Sequence, residues 1–210
     1  MRRGAIYYEP NSLTSLRDQA VVKTATGYLL NLLHKVDLHE NLFTASLDYI
    51  SPSSRLDFIN ELYSKEIIDD ENDGDRKLDV LEDLDNPQSL AATIIRHIYR
   101  KHCSFTKHDV SKTMIKYLDK ENSRLKSSVS DFNKRLLELG SIFRLSTSEL
   151  EVLRLLYFAF AMSNSSLNNV FDNLNYNEFI SLASAATGIS TMEIKKSLRK
   201  NGLLISSGII

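Results

Sequence analysis

The most concentrated group of possible metal ligands is the acidic run at residues 69–75 of the 210-residue sequence. Its carboxylates fall at positions 1, 3, 5 and 7 of an EF-hand calcium loop, and Gly74 takes the turning position 6. The second half of the pattern is absent, because Arg76 stands at position 8 and Val80 replaces the bidentate glutamate of position 12. We therefore interpret residues 69–76 as an acidic linker and predict no metal site there.

A second group combines three histidines with the only cysteine, at His97, His102, Cys103 and His108. Ligands that share one helix face are three or four residues apart, whereas His97 and His102 are five apart and diverge by about 140° around a helix. His102 and Cys103 are adjacent, so on a helix they do not face each other as a nucleophile and its base would. The pattern predicts no catalytic residue, no metal and no other cofactor here.

Nucleotide chemistry is also absent from the sequence. A phosphate-binding P-loop ends in Gly-Lys followed by Ser or Thr, but none of the seven glycines precedes a lysine, and there is no GxGxxG pattern. We expect no enzyme activity from this chain, and ATP hydrolysis only if a longer parent protein carries an ATPase domain. An enzyme with an unrecognised site is the least favoured of our three hypotheses.

The C-terminal end, residues 179–210, follows the order of a winged helix-turn-helix. A helix stops at Gly188, a second helix begins with a capping box at residues 190–193, and Asn201-Gly202 is a helix-stop signal. Residues 203–205 then predict a strand and residues 206–208 a turn.

The second helix of that unit is basic. If Ile194 faces the core, four basic residues face outward and form a candidate contact surface for DNA or for a partner: Lys195, Lys196, Arg199 and Lys200. Residues 191–198 contain no Arg, Asn or Gln, the side chains that read base edges best. The same surface therefore also fits a protein partner.

Helical periodicity dominates the rest of the sequence. Apolar residues recur at spacings of three or four, and helix starts are predicted at Asn86-Pro87, Thr106 and the capping box at residues 146–149. Seven glycines and three prolines argue against an all-β fold with many turns. We predict a mainly α fold, a helical bundle with a C-terminal winged-helix-like unit that ends in a short β-hairpin or a single strand.

The net charge of −1 is the sum of two oppositely charged regions. Residues 61–86 contain eleven acids and three bases, whereas residues 96–144 contain twelve bases and five acids. The acidic stretch favours two domains, a helical N-terminal part at 1–85 with its acidic linker and a helical to winged-helix-like part at 87–210.

The sequence contains no candidate membrane segment. No apolar run approaches the roughly 18 residues that cross a bilayer, and the N-terminus lacks the apolar core of a signal peptide. A single cysteine cannot form an intrachain disulfide and fits a reducing compartment. We therefore predict a cytoplasmic protein that does not enter a membrane.

One stretch resembles a known family. Residues 143–153 (FRLSTSELEVL) are similar to the L-S-x-x-E-x-x-[IL]-L segment upstream of the ATPase domain in some bacterial AAA-family ATPases. Residues 198–204 (LRKNGLL) are similar to the L-x-x-x-G-L-[LI] segment that follows a small helical unit in those proteins. The resemblance covers about residues 132–210, and it implies that the ATPase core would lie beyond Ile210.

Two main hypotheses for the function follow. The leading one is a non-catalytic interaction or regulatory module that resembles the N-terminal region of a bacterial AAA-family ATPase, with a protein or the missing ATPase domain as its partner. The alternative is a DNA-binding winged helix-turn-helix transcriptional regulator. The sequence leaves the identity of the partner and the oligomeric state open.

Overall fold

A computed structural model of the chain describes residues 16–64, 80–99, 103, 105–125, 131–161, 166–199 and 202–206. Within these ranges every regular element is a helix, which confirms the predicted mainly α class. In chain order the helices are α1 (Leu16–Lys35), α2 (Glu40–Asp48), α3 (Pro52–Tyr63), α4 (Pro87–Ile98), α5 (Lys107–Arg124), α6 (Asp131–Phe143), α7 (Thr147–Leu156), α8 (Leu167–Phe171), α9 (Tyr176–Thr187), α10 (Thr191–Ser197) and α11 (Leu203–Ser206). A π-helical turn, Tyr157–Ala161, continues α7.

The chain forms two compact units that interrupt each other in sequence. Residues 37–124 belong to unit 1, and residues 14–36 together with 125–210 belong to unit 2. The predicted division at residues 85–87 falls inside unit 1, because α2 packs on α4 and α3 packs on α5 across it. The predicted linker at residues 69–76 lies outside the described residues.

Unit 1 starts its helices with side-chain caps. The Asn86 side chain accepts a hydrogen bond from the Ser89 N–H, with Pro87 in the first turn of α4, as the sequence predicts. Thr106 caps α5, accepting from the Asp109 N–H at 3.3 Å. His39, which the sequence does not mark as a cap, begins α2 by accepting from the Leu42 N–H at its Nδ1.

Charged side chains are buried in the interior of unit 1. Arg55 is 7% exposed, and its guanidinium donates to the carbonyl oxygens of Leu47 at 3.0 Å and Leu84 at 3.2 Å. Burial lowers the pKa of Arg55, and nearby aspartates oppose that shift. The buried carboxylate of Glu121 accepts hydrogen bonds from the hydroxyls of Ser51 and Ser54, which joins the start of α3 to α5.

Unit 2 is built around α9. This helix packs on α1, α7 and α10, and α10 also packs on α7. Asn31 and Lys35 of α1 donate to the carbonyl oxygens of Ala186 and Ala185, at 2.7 and 3.1 Å. These carbonyls belong to the last turn of α9, where intrahelical partners run out, so α1 completes the C-terminal end of that helix.

A buried polar contact joins α1 to α7 in the same unit. The hydroxyl of Tyr28, a buried residue, donates to Glu151 at 2.6 Å, and Glu151 also pairs with Arg154. Burial, followed by the negative charge of Glu151, raises the pKa of Tyr28 far above its ordinary value. Tyr28 therefore remains a neutral donor at every physiological pH.

The structure near the end of the chain differs from the strand predicted for a wing. Residues 203–205, predicted as a strand, lie in the short helix α11, whose Ser206 N–H donates to the Gly202 carbonyl at 2.9 Å. A short apolar run fits either a strand or a buried helical turn, and here the helical turn buries Leu204 completely. No strand occurs in the described residues, so the structure does not support the winged-helix-like unit or its hairpin, and residues 207–210 lie outside them.

The turns around α10 agree with the predicted signals only in part. Gly188 ends α9 with a φ of 76°, the left-handed stop that the sequence predicts. In contrast, α10 ends at Ser197, four residues before the predicted stop. Gly202 instead lets the chain return over the end of α10, since a Cβ atom there would lie 2.6 Å from the Ser197 carbonyl oxygen.

Candidate functional site

A concave site in the described residues is an open pocket in unit 2, between the start of α7 and the end of α10. Its volume is about 690 Å³, within the range of ligand-binding pockets in proteins. We call it the α7–α10 pocket. Three cations, two acids, three serines and one glycine line it: Arg144, Lys196, Arg199, Glu149, Glu193, Ser146, Ser148, Ser197 and Gly202.

The predicted capping box fixes the α7 side of the pocket. Ser146 accepts from the Glu149 N–H at 3.2 Å, and the Glu149 carboxylate accepts from the Ser146 N–H and from its hydroxyl, both at 2.8 Å. Arg144, in the connection from α6, has a left-handed backbone with a φ of 54°, which is uncommon for a residue other than glycine. This turn brings the Arg144 side chain to the pocket next to the capping box.

On the α10 side, Glu193 connects the two helices. Its carboxylate accepts from the hydroxyl of Ser190, which caps α10, at 2.8 Å and from the hydroxyl of Ser148 of α7 at 3.3 Å. The hydrogen bond from the Ser190 hydroxyl, then that from its backbone N–H, lowers the pKa of Glu193, and Ser148 and Lys196 act in the same direction. Glu193 is therefore ionised at neutral pH.

The structure separates the described members of the basic group predicted as a contact surface. Lys196 and Arg199 line the pocket, whereas the neighbouring Lys195 is exposed but does not line it. Lys200 lies outside the described residues. Because successive residues on a helix point about 100° apart, a run of adjacent lysines cannot share one face.

Sequence reasoning missed Arg144 as a partner of these residues. In the sequence Arg144 is one of the twelve bases in residues 96–144 and lies in the segment 143–153. About fifty residues separate it from Lys196 and Arg199. No local pattern connects positions that far apart. The one available signal was its place two residues before the capping box, since a residue at a helix entry lies close to whatever packs on that entry.

The charges in the pocket are unevenly engaged. Both acids accept hydrogen bonds from serine hydroxyls, as described above. The three cations form no ion pair within 4.0 Å with any acid among the described residues, although Lys196 lies close enough to Glu193 to affect its pKa. The cations are therefore the groups most available to a ligand, and the ligand that they fit is an anion.

The serine hydroxyls of the pocket donate to carboxylates and to a backbone carbonyl. The hydroxyls of Ser146 and Ser148 donate to glutamates, and the Ser197 hydroxyl donates to the Glu193 carbonyl at 3.0 Å. No histidine lines the pocket to accept a serine proton as a general base. The arrangement is suited to binding.

The described part of the chain contains no group of three or more His, Cys, Asp or Glu side chains placed to hold a metal ion. His97 of the histidine group is buried, and its Nδ1 lies 2.7 Å from the Tyr63 hydroxyl. His102 and the acidic run at residues 69–75 fall outside that part. None of the helices that the structure describes has the length and apolar character to span a bilayer.

No protein-family model, curated protein or solved structure matches this chain. The resemblance of residues 132–210 to the region upstream of AAA-family ATPase domains therefore stays a prediction. The function is argued below from the residues of the pocket.

Proposed function

We propose that the chain is a non-catalytic interaction module that binds a protein partner at the α7–α10 pocket. The observation that carries this proposal is the convergence of Arg144, Lys196 and Arg199 on one concave site that no histidine lines. Such a site can hold an anionic group of a partner through charge-assisted hydrogen bonds.

The frame of the pocket supports the same function. Both helices that form it begin with serine caps, and the Ser148 hydroxyl bonds across to Glu193. Caps and cross-links of this kind hold side chains in place before a ligand arrives, which reduces the entropy lost on binding. Of the three cations, Lys196 lies on α10, and Arg144 and Arg199 lie in the turns that adjoin the two helices.

The resemblance to the N-terminal region of bacterial AAA-family ATPases favours the same class of function. By that resemblance the module would dock substrate proteins or position the ATPase domain. The partner would then be a protein in either case, and the chain would need no catalytic residues of its own.

The alternative of a DNA-binding regulator rests on α9, the turn at Gly188 and α10, which retain the order of a helix-turn-helix. Two features count against it. The seven-residue α10 is short for a recognition helix, and Met192 and Glu193 occupy its exposed N-terminal end, where such a helix contacts bases. A glutamate at that position repels phosphates.

The test is a selection of random displayed peptides on the immobilised full chain. We expect enriched peptides whose affinity falls at least about tenfold in the double variant Lys196→Glu with Arg199→Glu, since two attractive charges become repulsive. Lys195→Glu is the matched control, because it makes the same charge change one residue outside the pocket. If no peptide is enriched above an empty support, the proposed function is wrong.

DNA binding is measured on the same variants. Binding of a DNA duplex that weakens steeply with salt, and is lost equally in Lys195→Glu and in the double variant, would instead support the DNA-binding regulator.

A further inference from the structure

We infer that the α7–α10 pocket recognises a short acidic peptide segment of its partner, bound through carboxylates to Arg144, Lys196 and Arg199. This inference rests on the proposed interaction function and adds the chemical class of the ligand. The pocket cations, the two guanidinium groups among them and the two glutamates each support it.

The charges of the pocket favour an anionic ligand. The three cations make no ion pair within 4.0 Å among the described residues, whereas both pocket acids already accept hydrogen bonds from serines. A ligand therefore gains more from meeting the cations than from meeting the acids. Charge-assisted hydrogen bonds to such cations are about twice as strong as neutral ones.

The types of cation in the pocket favour a ligand with carboxylates. Two of the three are arginines, whose planar guanidinium groups match a carboxylate with two parallel hydrogen bonds. A peptide that places carboxylates on neighbouring side chains can satisfy Arg144 and Arg199 while Lys196 acts as a third point charge. The pocket volume of about 690 Å³ suits a few side chains.

The two glutamates of the pocket favour a peptide over a nucleic acid. Glu149 and Glu193 line the same pocket, and Glu193 is held in its ionised form. A peptide can meet these carboxylates with backbone N–H donors while its own carboxylates meet the cations. The phosphodiester backbone of a nucleic acid offers only acceptors, so it has no donor with which to offset the repulsion between its phosphates and the two glutamates.

The experiment is a fluorescence-polarisation titration of the full chain with three labelled probes. They are a peptide of alternating glutamate and glycine, the same peptide with glutamine in place of glutamate, and a single-stranded oligonucleotide of the same net charge as the first. We expect measurable binding of the glutamate peptide and at least about tenfold weaker binding of the other two. Binding of the glutamate peptide should weaken as salt increases.

Variants with exposed side chains locate the binding site. Lys196→Ala and Arg199→Ala should each weaken the glutamate peptide about threefold to tenfold, whereas Lys195→Ala should change its affinity less than twofold. Arg144→Gln tests the residue that sequence reasoning missed and should weaken binding in the same way. Circular dichroism of each variant confirms that the helices remain folded.

Glu193→Gln tests whether the charge of Glu193 disfavours a nucleic acid. Glutamine can keep the hydrogen bonds of the helix start without that charge. We expect it to narrow the preference for the glutamate peptide over the oligonucleotide.

Three results would overturn the inference: equal binding of the glutamine peptide, an equal loss in Lys195→Ala, or tighter binding of the oligonucleotide. In the first case, peptides from the displayed library that bind at the pocket would still support the proposed function. The two failures are therefore distinguishable.

Discussion

The two units place their charges in opposite ways. Unit 1 buries a guanidinium and a carboxylate, at Arg55 and Glu121, each 7% exposed. In the described part of unit 2 the buried polar residues are uncharged, Thr26 and Ser197. Unit 2 keeps the ion pair of Glu151 and Arg154 half-buried, and the cations and acids of its α7–α10 pocket line an open site.

The difference shows which charges are available for binding. A buried charge has to be matched inside the protein, so the carbonyls and hydroxyls around Arg55 and Glu121 are committed to the fold. A charge at an open site keeps most of its hydration and can wait for a ligand without an internal partner. Buried charge in this chain therefore belongs to the fold, whereas the open charges of the α7–α10 pocket motivate the proposed recognition of a partner.

The largest predicted effect breaks the unit 1 side of this comparison. Arg55→Ala removes the donors to the Leu47 and Leu84 carbonyls, and we expect it to lower the free energy of unfolding by roughly 2–4 kcal/mol. Hydrogen exchange followed by mass spectrometry should show faster exchange in α3 and α4 and little change in α7 and α10. Exchange that accelerates equally in both units would contradict the assignment of Arg55 to unit 1 alone.

The next effect tests a cap beside the pocket. Ser146→Ala removes the side chain that accepts from the Glu149 N–H, and N-cap removal costs about 1 kcal/mol. Ser148→Ala is the matched control, because Ser148 makes only a 3.3 Å contact with Glu193 and caps no helix. Chemical denaturation should separate the two variants, and an equal loss in both would contradict the role of the capping box.

A pH effect in unit 1 comes next in size. Burial, and then the positive charge of Lys107, lowers the pKa of His39, whose Nδ1 accepts from the Leu42 N–H only when the ring is neutral. Stability from this cap is fully present above the unfolded value of about 6.5 and is lost as the pH falls through the folded value.

His39→Asn tests this directly, since asparagine caps a helix without titrating. Between pH 7.5 and pH 5 the melting temperature of the wild type should fall further than that of the variant. Equal falls would show that His39 does not carry the acid sensitivity.

The smallest predicted effect sharpens the unit 2 side. Lys195→Glu and Lys196→Glu should each change the free energy of unfolding by less than about 0.5 kcal/mol, because both side chains are exposed. Only the second should affect ligand binding. A large loss of stability in Lys196→Glu would mean that Lys196 holds the fold together rather than serving the pocket.

Local features of this fold could be predicted from the sequence. The caps at Asn86, Thr106 and Ser146 and the stop at Gly188 all appear in the structure, since each involves atoms within a few residues of one another. The strand at residues 203–205 could not be predicted correctly, because the choice between strand and helical turn depends on the surface that buries Leu204.

Two of the three cations of the candidate site could be predicted from the sequence. Lys196 and Arg199 were named from a basic helix, and Lys195 was named with them because the sequence alone does not show which side of α10 faces α7. Arg144 was missed because it reaches the pocket through a left-handed turn and through packing between distant helices. Both errors concern tertiary contacts, which local periodicity does not contain.

The bond from Asn31 to the Ala186 carbonyl has a consequence for how the chain is made. It joins residues 155 positions apart, so α1 leaves the ribosome long before α9 exists. At about 5–20 residues per second this interval lasts roughly 10–30 s. Leu29 and Leu32 are fully buried in the finished protein and lie on α1, and the helix α9 on which α1 packs does not yet exist during that time. All the described residues of unit 1 are synthesised within this interval, so α1 waits for its packing partner while a whole unit is made.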